Sequence, residues 1–134
     1  MKLSLNNGTK ILLVAGCVAI SIYGFMIKLP STFRHFDKEL HSLFYFLAAA
    51  GLNILFAKKK ITIHLLIFAM LYLFGVAIEY AQEYSNKLLH KKIHGRYDVE
   101  DIQSNLKGLI AFSLIWIVYV SVWFVYKKAT VKKV

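Results

Sequence analysis

The chain has 134 residues, 58% of them hydrophobic, with one proline, a mean hydropathy of +0.56 and a formal net charge of +10. That length allows a single domain. The positive charge does not point to nucleic acid: the basic residues cluster at the ends of apolar runs, where membrane topology puts them, and no basic helix or stacking platform stands outside those runs.

The first apolar run covers residues 11–29. Lys2 and Lys10 before it resemble the basic start of a secretory signal, but the run is longer than a signal core. It leads into Lys28, Leu29 and Pro30 rather than a small-x-small cleavage site, so it is read as a retained membrane helix. Cys17, the sole cysteine, lies inside this run and is read as a packing residue.

Further runs cover 40–57, 61–78 and 106–126. Each is about 18 to 21 residues long, and at about 1.5 Å per residue a helix of that length crosses a hydrocarbon core of roughly 30 Å. The predicted fold is an all-α membrane protein with four transmembrane helices over residues 11–29, 40–57, 61–83 and 101–126. The compact Lys58-Lys59-Lys60 turn makes helices two and three antiparallel neighbours. A long polar connection separates helices three and four, with room for a short interfacial helix around 86–93 and a turn at Gly95.

Four spans create two sets of connections on opposite sides. Nine of the 17 Lys and Arg residues fall on the side of the termini and the tri-lysine turn, and eight on the other. All seven carboxylates (Asp37, Glu39, Glu79, Glu83, Asp98, Glu100 and Asp101) fall on that second side. The acid-free side is expected to be cytoplasmic, which places both termini there.

Three polar groups with helical spacing meet the acidic side. Asp37, His41 and Tyr45 are four residues apart and share a face entering helix two. Glu79 is followed by Gln82 and Glu83 as helix three leaves the membrane. Asp101, Asn105 and Gly108 form a stripe where helix four begins, preceded by Arg96. Glu39, Asp98 and Glu100 fit a solvated boundary. Glu79 and Asp101 adjoin helical apolar sequence, and ionisable groups inside the membrane margin usually face a bundle interior or a wet cavity. His64 is expected to be a lone interfacial histidine. His90 and His94 are four apart, but two ligands without a nearby acid make a poor metal site. A divalent ion held by Asp37, Glu79 and Asp101 is conceivable; no metal site and no cofactor is assigned.

The segments FDKELHSLFYF, EYAQEYS and GRYDVEDIQSNLKGLIA resemble the three signature blocks of the VanZ-like family. Those blocks have the forms D-K-x-x-H-x-x-x-Y, E-x-x-Q and R-x4-D-x3-N-x2-G. Asp37, Lys38, His41, Tyr45, Glu79, Gln82, Arg96, Asp101, Asn105 and Gly108 occupy the matching positions. The connection from Gln82 to Arg96 departs from the pattern, being longer and without proline, and Lys107 stands where a small or apolar residue is usual. The resemblance implies one small bacterial integral membrane domain over residues 1–134, in the cytoplasmic membrane. The founding member's association with teicoplanin resistance implies an effect at the cell envelope.

Two functions follow as expectations. In the first, a polar pocket at the extracytoplasmic boundary binds or modifies a lipid-linked or envelope ligand. His41, Glu79 and Asp101 act there as acid/base groups, and Asp37, Lys38, Tyr45, Gln82, Arg96 and Asn105 as ligand-binding residues. No nucleophile elbow, HExxH motif or phosphate loop names a reaction. In the second, the polar cluster is structural and the protein is a non-enzymatic membrane scaffold. Membrane lipids are partners in both.

Overall fold

The computed structural model describes residues 4–27, 31–90 and 97–132. Four long helices carry the chain: α1 (Asn7–Met26), α2 (Asp37–Ala57), α3 (Ile61–Leu89) and α4 (Val99–Val131). All four are long and apolar enough to cross a membrane, and no strand occurs among the described residues. The protein is a multi-pass, all-α membrane protein.

The helices extend beyond the apolar runs because polar end residues satisfy their free backbone groups. Asn6 accepts from the Thr9 N–H at 2.7 Å and starts α1 four residues before the apolar run. Asp98 does the same for α4, accepting from the Glu100 N–H at 2.8 Å. At the other end of the long polar segment, α3 continues to Leu89 and stops at His90, whose φ of 49° ends the helix. Residues 86–89 therefore belong to α3 itself, not to a separate interfacial helix, and Gly95 lies outside the described residues.

Cross-helix contacts fix the directions. Along α2 and α4, Ser42 bonds the Ser104 carbonyl at 2.8 Å, and Phe46 meets Phe112 edge-on at 5.7 Å, so these two helices run parallel. Along α3 the order reverses: Glu79 reaches the start of α4, while His64 reaches Ser113. The helices thus alternate in direction, as four successive spans must.

The core lies between α2, α3 and α4 and includes Tyr45, Ala49, Ile67, Leu71, Leu109, Phe112 and Trp116. Gly108 sets the closest approach: a Cβ there would collide with the Ser42 carbonyl oxygen and stand 3.1 Å from the Phe46 nitrogen. A glycine lets two helix backbones meet where any side chain would separate them. By contrast, α1 buries no residue, and Cys17 is exposed on its surface rather than packed. An all-apolar exposed helix suits lipid contact.

A second polar layer crosses the same core near the tri-lysine end. The last turn of α2, Asn53–Ala57, is a π-helix. Asn53 bonds within the bundle: its amide nitrogen donates to the Ala49 carbonyl at 2.7 Å and its oxygen meets His64 Nδ1 at 2.7 Å. His64 Nε2 lies 3.1 Å from Ser113 Oγ, and the ring stacks on Trp116 at 4.1 Å. At 3% exposure, His64 is a core residue, not a lone interfacial one. Helical spacing alone could not reveal this, because its partners come from two other helices.

Candidate functional site

The acidic side of the bundle is assembled where the first turns of α2 and α4 meet the outgoing part of α3. His41 is 5% exposed, and its Nδ1 lies 2.8 Å from Asn105 Oδ1. An amide oxygen can only accept, so Nδ1 carries a hydrogen, and Nε2 is left on the other side of the ring. That side faces two carboxylates, Asp37 Oδ1 at 3.8 Å and Asp101 Oδ2 at 3.9 Å.

The two oxygens of Asp101 have separate surroundings. Oδ2 faces His41, while Oδ1 lies 3.4 Å from Lys38 Nζ. Lys38 also reaches Glu100 at 2.8 Å and Asp98 at 3.3 Å. Its amine is thus spread over three carboxylates of α4's first turn, where acidic groups also complement the helix dipole.

Glu79 is fully buried. One oxygen accepts from the Asp98 N–H at 3.1 Å, tying α3 to the residue that caps α4. The other, Oε1, has no hydrogen-bond partner among the described residues. A buried carboxyl oxygen left in this state is costly, and such groups accumulate at functional sites more often than in packing.

Two aromatic residues and a glycine shape the surroundings. Phe25, from the last turn of α1, stands 5.0 Å from the His41 ring and 6.2 Å from Tyr45. Tyr45 is 1% exposed and sits under the cluster. A Cβ on Gly75 would stand 2.6 Å from Asn105 Nδ2 and 3.0 Å from the Tyr45 hydroxyl, so the missing side chain makes room for both groups.

Of the residues singled out in the sequence, His41, Asp37, Lys38, Asp101 and Asn105 are brought into one cluster, with Glu79 joined through Asp98 and Tyr45 beneath. Gln82 stands apart: its amide donates to the Phe25 carbonyl at 2.7 Å and anchors α1 to α3. Arg96 and His94 lie outside the described residues. Glu83 pairs with Lys87 at 3.0 Å on the surface. Asp98, read from the sequence as a solvated boundary acid, instead caps α4, holds Glu79 through its N–H and contacts Lys38. Glu100 stays largely exposed yet also pairs with Lys38. Phe25 carried no signal, because one phenylalanine in an apolar run looks like any other.

Chemically, the cluster offers an imidazole fixed through Nδ1 by Asn105, with its Nε2 facing two carboxylates and an aromatic ring on one side. No family model, curated protein or solved structure matches the chain. Fold and cluster together define a four-span membrane protein with a buried ionisable site at one end of its bundle.

Proposed function

We propose that this protein is a VanZ-like membrane protein that binds or modifies a lipid-linked or cell-envelope ligand at the extracytoplasmic boundary of a bacterial cytoplasmic membrane. The observation that carries this reading is the buried cluster of His41, Asn105, Asp101 and Glu79 at one membrane margin. Packing alone does not need a fully buried carboxylate with an oxygen that has no hydrogen-bond partner among the described residues, and well-packed apolar residues would cost less there. Support for the family comes from Asp37, His41, Asn105 and Gly108, which stand in separate blocks of the chain yet meet in space. In this reading His41 is the general base, Glu79 and Asp101 are acid/base groups, and Arg96 pairs with an anionic headgroup.

One observation favours a second reading. Lys38 bridges Asp98, Glu100 and Asp101, as a network that only locks α2 to α4 would. The two readings separate with Glu79→Gln, Asp101→Asn and Arg96→Ala, purified in detergent and titrated with a short-chain polyprenyl pyrophosphate. A ligand site predicts melting temperatures within about 3 °C of wild type, with binding or turnover reduced at least tenfold. A structural network predicts large losses of melting temperature and no binding by the wild type.

A further inference from the structure

We propose that His41 Nε2, Asp37 and Asp101 form a binding site for one divalent cation of the zinc class. The ligand atoms of these three residues all lie within 4.8 Å of one another. Asp37 and His41 are one turn apart on α2, and Asp101 arrives from the parallel α4, so two rigid helices hold the set. The inference deepens the boundary-site reading above, with His41 and Asp101 serving as cation ligands in place of acid/base groups, and rests on it only for the ligand that the cation would meet.

The imidazole is prepared as a metal ligand is. Its Nδ1 is engaged by Asn105, the arrangement by which an outer partner fixes the tautomer of a ligating histidine. Its Nε2 points at two carboxylate oxygens from 3.8 and 3.9 Å, beyond hydrogen-bonding distance. An imidazole nitrogen and two carboxylate oxygens that converge on one space suit a shared positive charge. Lys38 is not that charge, because it contacts the opposite oxygen of Asp101. Ligands about 2.0–2.2 Å from a shared ion stand roughly 3.0–3.5 Å apart, so each of the two His41–carboxylate distances closes by a few tenths of an ångström when the ion binds.

Glu79 supplies an independent observation. It is 0% exposed, and its Oε1 has no hydrogen-bond partner among the described residues. Its other oxygen accepts from the Asp98 N–H at 3.1 Å, which puts this buried acceptor at the same end of the bundle as the three ligands. The choice of cation follows from the donors. One imidazole with two carboxylates suits zinc, whereas magnesium prefers an all-oxygen octahedron and gives up its waters reluctantly.

The test uses the full chain in detergent, stripped with a chelator and titrated with Zn²⁺, with retained metal measured by elemental mass spectrometry. The expected result is one zinc per chain, not displaced by equimolar Mg²⁺, and a visible absorption band when Co²⁺ is substituted. Asp37→Asn and His41→Asn should each weaken zinc binding at least tenfold, while His35→Asn and His90→Asn leave it unchanged. Asp37 is partly exposed, so its variant keeps the test valid if His41→Asn does not fold. Failure of wild type to retain zinc, or equal retention by Asp37→Asn, overturns the proposal and leaves an imidazolium between two carboxylates. Polyprenyl pyrophosphate binding by metal-free protein, with no zinc binding at all, sinks the cation site alone. Zinc binding with no pyrophosphate binding in either state sinks only the lipid-ligand reading.

Discussion

Among the described residues, Glu79 is held by one hydrogen bond and the packing around it. Replacing it with glutamine keeps an oxygen that can accept from the Asp98 N–H, so stability should change little. Glu79→Ala removes that acceptor from the part-buried Asp98 N–H, at a cost of about 1 kcal/mol in chemical unfolding. Equal stability of the two variants would show that the Asp98 tie does no structural work. Asn53 makes the same argument at the other end of the core. Asn53→Leu strips His64 Nδ1 of its partner and should cost about 1–3 kcal/mol, read as a lower melting temperature. The sequence made Asp37, His41 and Tyr45 legible as one face because their spacing is a helix property. It could not make Asn53 and His64 legible as a pair, since the eleven-residue separation includes a π turn and a reversal of direction.

At the scale of the element, the α2–α4 crossing depends on Gly108. Gly108→Ala places a methyl group against the backbone of Ser42, which no side-chain rotation relieves. The expected loss is about 3 kcal/mol, near the upper end of overpacking costs, and Asn105 should lose its bond to His41 as the helices part. Gly75→Ala meets only the ends of Asn105 and Tyr45, so a milder loss should come with a larger effect on the site. Asp98→Ala tests the start of α4: losing the cap costs about 1 kcal/mol, and hydrogen exchange in the first turn should accelerate. The long polar segment looked like a loop because hydropathy drops at Glu79 and recovers only at Leu106. Hydropathy reports solvent preference, whereas helix limits follow from capping and packing, and so both helices run on into it.

For the whole molecule, alternating helix directions place Asp37, Glu79, Asp98, Glu100 and Asp101 at one end by direct contact. The opposite end carries the tri-lysine turn, where Lys59 Nζ lies 3.8 Å above the Trp123 ring, a suitable interfacial anchor. With cytoplasmic termini, a reporter active only outside the cytoplasm should be active when fused after His90 and silent after Lys132. The reverse pattern would move the acidic end, and with it the proposed site, to the cytoplasmic side. By itself the sequence determined four spans, their alternation and the single acidic side, because bilayer thickness and backbone hydrogen bonding leave an apolar chain few choices. The tertiary structure alone decided which polar groups share a site. It paired His41 with Asn105, turned one face of the imidazole towards Asp37 and Asp101, and enlisted Asp98 and Phe25. Those contacts depend on how closely α2 and α4 approach and how each helix is rotated, quantities set by side-chain packing across elements far apart in the chain.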